Sequence, residues 1–277
     1  MARHWWVVLA ALTLTVGSAL AAGVASASSA PAAARVGAIS PGHPMIMSGA
    51  PGTGARSGTN GGAGNVVRSS NWSGYAAHLP RKGVYHSVSA SWIQPRARCG
   101  KSAGTQQFAA FWVGLDGFQV NAKSVEQTGT DSDCNGTTPR YYGWFEMFPK
   151  APVFFKNPLQ PGDHISASVT FSGVEKYTLV LTDATRHWTR TIVRRRVGLA
   201  RSSAEIITEA PSSNTGVLPL ANFGTARFSL IRVNGALLSK QTPSRIIIVN
   251  ASNQPEDSTS AIGNAGGAFS NTWIRSS

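Results

Sequence analysis

Apolar residues recur at every second position through much of the C-terminal two thirds of the chain. Ile165, Ala167, Val169 and Phe171 alternate with Ser166, Ser168 and Thr170, and Tyr177, Leu179 and Leu181 alternate with Thr178, Val180 and Thr182. Successive side chains of a strand point to opposite faces, so this period predicts strands with one face buried. Similar β-rich runs stand near 85–93, 108–115, 124–128, 140–148, 187–193, 204–209, 226–233 and 245–249, with Gly, Pro, Asn or Asp clusters between most of them. No segment keeps a helical stripe for three turns, and no internal repeat is present. Twenty-nine glycines and fifteen prolines, with only 13% charged residues, also disfavour a helical bundle. The expected fold is all-β, an antiparallel sandwich or barrel.

The N-terminus has a different character. Arg3 and His4 precede an apolar stretch from Trp5 to about Leu20, followed by Ala25-Ser26-Ala27. That order reads as an export signal over residues 1–27, too short and too rich in small residues for a membrane anchor. No later stretch is long and apolar enough to span a bilayer, so a secreted, extracellular protein is expected. Residues 28–69 are Ala, Gly, Ser and Pro with scattered arginines and cannot bury enough apolar surface to fold alone; they read as a disordered leader or propeptide. The folded domain is expected over 70–277. Cys99 and Cys134 are the two cysteines, and in an oxidising compartment such a pair is expected to close a disulfide.

Twenty-five Lys and Arg against twelve Asp and Glu give a net charge of +13, and every carboxylate lies at or beyond Asp116. Such a balance attracts polyanions without fixing a reaction. The run Arg194-Arg195-Arg196, flanked by Arg186, Arg190 and Arg201, reads as a solvated edge or a site for an anionic envelope polymer. A nucleic-acid site would interleave aromatics with the cations, and only Trp188 does so; no specific nucleic-acid partner is expected.

Catalytic signatures are absent: no HExxH, GxSxG, GxxxxGK[ST] or CxxC occurs. His43, His78, His86, His164 and His187 lack ligand-like spacing, so neither metal nor cofactor is expected. No serine sits in a recognisable nucleophile elbow. Thr130-Asp131-Ser132-Asp133 lacks the Asp-Thr/Ser-Gly turn of an aspartic peptidase, and the aspartates around Cys134 read as loop residues.

Five segments then follow in order: Ser70-Asn71-Trp72-Ser73-Gly74-Tyr75; Trp112-Val113-Gly114-Leu115-Asp116-Gly117; Val125-Glu126-Gln127-Thr128-Gly129; Tyr142-Gly143-Trp144-Phe145-Glu146-Met147-Phe148-Pro149; and Ala204-Glu205-Ile206-Ile207-Thr208-Glu209. In order and spacing the series resembles the glutamic peptidase, or eqolisin, family, over residues 70 to about 250. The chain resembles a bacterial-type member; Tyr142 stands where fungal members tend to carry an acid, and the basic charge also departs from theirs, so their subsite preference does not carry over. The resemblance implies a jelly-roll-like sandwich of two antiparallel sheets with a catalytic groove on the concave face of one. It places the catalytic pair on Gln127 and Glu209, and Trp112, Asp116, Trp144 and Glu146 at positions that line or support the cleft.

Strand parity is compatible with that placement. Glu205, Ile207 and Glu209 share one face, and Tyr142, Trp144, Glu146 and Phe148 share another, an aromatic strip holding a carboxylate that suits a groove for a polymer. Glu205 and Glu146 thereby become candidate substrate contacts, with pairing to surface cations as the other use for them. The implied activity is that of a secreted, acid-acting endopeptidase on protein or peptide substrates, a monomer. The rival is a carbohydrate-active or carbohydrate-binding sandwich, a glycosidase using two of Glu126, Glu146, Glu205 and Glu209, or a lectin.

Overall fold

The computed structural model describes residues 44–46, 66–100, 105–119 and 121–276; the stretch read as an export signal and most of the one read as a leader or propeptide lie outside them. Among the described residues, fourteen strands of three or more residues build the fold: β1 (Val66–Ser69), β2 (Trp72–His78), β3 (Ser87–Ile93), β4 (Ala110–Leu115), β5 (Val125–Asn135), β6 (Thr138–Phe148), β7 (His164–Phe171), β8 (Lys176–Asp183), β9 (Trp188–Arg195), β10 (Ser203–Glu209), β11 (Thr225–Val233), β12 (Ser244–Ile248), β13 (Asp257–Thr259) and β14 (Phe269–Trp273). Several two-residue pairings extend them, and among the described residues the only helices are two short 3-10 turns.

One sheet runs β1-β12-β2-β10-β4-β5-β6 and ends on Val153–Phe154; the other runs β9-β8-β7-β3-β11-β14-β13. Neighbours are antiparallel except β1 and β12, which pair in parallel. The alternating residues meet between the sheets. Phe111, Val113 and Leu115 of β4, Phe145 and Met147 of β6, and Ala204 and Ile206 of β10 face Ile165, Ala167 and Val169 of β7, Leu179 and Leu181 of β8, and Phe228 of β11. The sandwich expected from the alternation is the observed fold.

Three differences from the sequence reading bear on the site. The first sheet begins at Val66, inside the stretch read as leader, because Val66–Ser69 pair with Arg245–Ile248. β2 shows no alternation because both of its faces are buried. The aspartates near Cys134 are not loop residues. β5 continues to Asn135, with Asp131 and Asp133 buried in it, and both are held by donors: the Trp144 indole at 2.7 Å from Asp131 and the Ala109 amide at 3.3 Å from Asp133. Cys99 and Cys134 form the expected disulfide.

Candidate active site

The outer face of the first sheet, away from the sandwich core, carries the odd-numbered residues of β5 and β10 and the even-numbered ones of β2, β4 and β6. Trp72, Ala76, Ala110, Trp112, Val125, Trp144 and Ile207 form a second apolar cluster there, joined by Phe118 and flanked by Met45 and Phe148. Trp72 meets Trp112 edge to face, with ring centroids 4.9 Å apart. Large aromatics on an outer face form a cluster only where something covers them, and the three tryptophans have no exposed surface.

Polar groups sit around this cluster in a definite register. Along one row across the sheet lie Glu205, Gly114, Gln127 and Glu146; two residues further stand Ile207, Trp112, Gly129 and Trp144; two further again come Glu209, Ala110, Asp131 and Tyr142. Gln127 and Glu209 therefore share the face, two strands and four residues apart, with Trp112 between them. Gly114 and Gly129 leave room for the Trp112 side chain: a Cβ at either position would collide with it.

Glu209 is fully buried. Its Oε2 accepts the Trp112 indole N–H at 2.8 Å and its Oε1 accepts the Asn71 amide at 3.4 Å. Burial pushes its carboxyl well above the ordinary range; these donors and the Trp72 indole oppose the shift, and the charge of Glu146 reinforces it. Gln127 donates from Nε2 to Glu146 Oε2 at 2.9 Å. Gln127 is thus tied to a carboxylate that Glu209 senses across the face.

The remaining candidates divide. Trp112 binds Glu209 directly. Trp144 donates its indole N–H to Asp131, a buried partner within β5. Asp116 is buried at the end of β4, where its oxygens accept the backbone amides of Arg201 at 2.7 Å and Ser202 at 2.9 Å. It fixes the entry into β10, a supporting position. Glu205 shares the face with Glu209 but lies at the Asp116 end. It is fully buried, and burial followed by the Asp116 and Glu126 charges raises its carboxyl. Glu126 points the other way, toward the core, and is raised mainly by burial. Asn71, which touches Glu209, was not singled out from the sequence, although the Asn-Trp pair that opens the domain carries it.

An open hollow of about 550 Å³ lies beside Asp116 and is lined by Arg81, Lys82, Lys123 and Arg196, not by Glu209. Among the described residues no group of three or more His, Cys, Asp or Glu is placed to hold a metal ion, and no helix is long and apolar enough to cross a membrane.

The family model described as "Peptidase A4 family" matches residues 70–266. Among solved structures, a scytalido-glutamic peptidase with a transition-state analogue inhibitor matches at 25% identity and TM-score 0.62, over 74% of this chain and 98% of that one. SCP-B, an eqolisin in complex with the tripeptide Ala-Ile-His, matches in fold at 24% identity and TM-score 0.58 over the same shares. Aspergilloglutamic peptidase from Aspergillus niger matches in fold at 21% and 0.54, over 61% of this chain and 99% of that one. No individually curated protein matches the chain. A match over most of the chain decides against the carbohydrate-active reading. The chain belongs to the Peptidase A4, or eqolisin, family and is a peptidase.

Proposed function

We propose that this protein is a secreted endopeptidase that cleaves peptide bonds in acid with Gln127 and Glu209 as its catalytic pair. The observation that supports the pairing most directly is the setting of Glu209. A fully buried carboxylate lies on an aromatic outer face, held by an indole and an amide, with Gln127 on the same face.

Hydrolysis needs an activated water, a donor to the oxyanion and a proton for the leaving amine. Ionised Glu209 takes a proton from the water, whose oxygen attacks the scissile carbonyl carbon. The Gln127 amide donates to the oxyanion, and Glu209 returns its proton to the departing nitrogen as the C–N bond breaks. Trp112 and Asn71 keep the Glu209 carboxylate in one orientation through both transfers. Glu146 orients Gln127: by accepting from its Nε2 it fixes which way the amide faces. Since burial holds Glu209 above the ordinary carboxylate range, the acid limb of the activity profile lies above the pKa of about 4.3 of a free glutamate.

The test is cleavage of a denatured protein across pH, run beside a polysaccharide panel. Glu209→Gln should remain folded and lose at least about a thousandfold in turnover, and Gln127→Ala about a hundredfold or more, the scale of one oxyanion donor. Wild-type rates in both variants would end the proposal.

A further inference from the structure

The connections at one end of the sandwich bring cations together from distant parts of the chain. In the first sheet the end of β2 pairs with the start of β10, and the end of β4 with the start of β5, whose other neighbour is the end of β6. Arg81 and Lys82 follow β2, Lys123 precedes β5, Lys150 follows β6, and Arg194-Arg195-Arg196 run out of β9 in the facing sheet. Two hollows form among them. The one of about 550 Å³ beside Asp116 has Arg81, Lys82, Lys123 and Arg196 in its wall. A second, of about 240 Å³, is lined by Lys150, Arg194, Arg195 and Arg196 together with Phe145 and Met147. Arg196 belongs to both, so the hollows adjoin at that side chain and seven cations border them.

Little on the protein neutralises them. Among the described residues the only ion pair is Arg186–Asp163. Asp116, the acid of the first hollow, is 3% exposed, and its oxygens already accept the Arg201 and Ser202 amides. Glu175, an exposed acid beside the end of β9, meets Arg196 only through its main-chain oxygen, which accepts the Arg196 N–H at 3.0 Å. The other arginines near the run are engaged elsewhere: Arg190 lies over the Phe155 ring at 5.2 Å and Arg201 over the Phe171 ring at 3.8 Å. Like charges gathered without counter-ions repel, and an anion placed between them relieves the repulsion. Guanidinium groups also present paired N–H donors that match the oxygens of a phosphate. Neither hollow offers a ring to a nucleobase. The first has no aromatic residue among its described lining, and Phe145 in the second is buried beneath the Arg194 guanidinium, 4.8 Å from the ring centroid. Two adjoining concavities suit a strand-like ligand better than a flat bilayer.

We propose that the paired hollows are a binding site for a linear polymer of repeating phosphate groups, which crosses Arg196 and sets phosphates in both. The site is separate from the proposed catalytic pair: neither hollow is lined by Gln127, Glu146 or Glu209, so it stands whether or not Glu209 is the base. Net charge alone would draw a polyanion to any exposed cation. The proposal is that these seven outweigh the rest.

The experiment measures binding of labelled long-chain inorganic polyphosphate to the natural chain and to two variants of equal net charge. One carries Lys123→Gln, Arg195→Gln and Arg196→Gln. The other carries Arg227→Gln, Arg232→Gln and Lys240→Gln, exposed cations on and after β11 that line neither hollow. The first variant should bind at least about tenfold more weakly than the natural chain and the second less than about twofold more weakly. The slope of log affinity against log salt should shrink by about two or more in the first alone. Equal losses in the two variants, or no binding by the natural chain, overturn the site. Triphosphate, too short to occupy both hollows, should bind at least about tenfold more weakly than the long chain; equal affinities overturn the crossing at Arg196. Tighter binding to phosphatidylglycerol vesicles than to polyphosphate would overturn the polymer in favour of a membrane. Arg196 also donates to the Met147 carbonyl at 3.4 Å; should its replacement lower the Tm, Lys82→Gln takes its place in the triple variant and the same outcomes decide.

Discussion

Glu209 makes sense only together with the groups that touch it. A carboxylate removed from water prefers to be protonated, and each N–H aimed at its oxygens shifts it back toward the ionised form. Here the first effect wins, with the Trp112 indole as the first opposing group. Trp112→Phe keeps most of the ring packing and deletes that one donor. The acid limb of kcat/KM should therefore move to higher pH, because less of Glu209 is ionised at a given acidity, and turnover at the wild-type optimum should fall about tenfold or more. A role confined to packing would lower the rate without moving the limb. The pH profile of Trp112→Phe against wild type separates the two, and an unmoved limb would remove Trp112 from the proton chemistry.

At the level of elements, β4, β5 and β10 position the site, and their central rows depend on Gly129. Its neighbours in register are Trp112 and Trp144. A Cβ there would fall inside contact distance of the Phe111 carbonyl and of Trp112 Cα and Cβ, most of it rigid backbone. Gly129→Ala should cost about 1–3 kcal/mol, the range for overpacking a tight interior, read as a lower urea midpoint, and should displace Trp112 from Glu209. A midpoint within error of wild type would show that the strands part freely. Strands such as β7 and β8 were legible in the sequence because one face is buried and the other wet. β2 was not, since a strand covered on both sides loses its period. The end of β5 was hidden for another reason: Asp131 and Asp133 look like loop residues until their donors, Trp144 and the Ala109 amide, are known, and those partners come from neighbouring strands. The catalytic candidates were legible only through the order of short motifs.

Across the whole molecule the charges are sorted by sign. Eleven of the twelve carboxylates are buried and only Glu175 is exposed, whereas none of the described lysines and arginines is buried. The surface is therefore almost purely cationic, and the hollow at Arg81, Lys82, Lys123 and Arg196 is one concentration of it. The protein should bind a polyanionic resin at neutral pH and elute with salt, as screened charge attraction requires; passage at low salt would contradict this. The buried carboxylates also set the response of stability to pH. Burial holds Asp116, Glu126, Asp131, Glu205 and Glu209 above the ordinary range, and lifts Asp257 to about 7 and Asp133 to about 8. In the unfolded chain these groups release their protons near pH 4. Between about 4 and 8 the native state consequently holds more protons than the unfolded one, and stability must fall as pH rises through that interval. Thermal unfolding at fixed ionic strength should give the highest Tm at or below about pH 4 and a progressive decline to pH 8, the reverse of a protein stabilised by salt-bridged acids. A Tm that stays level or climbs over that interval would mean that the interior carboxylates ionise in place with partners to match.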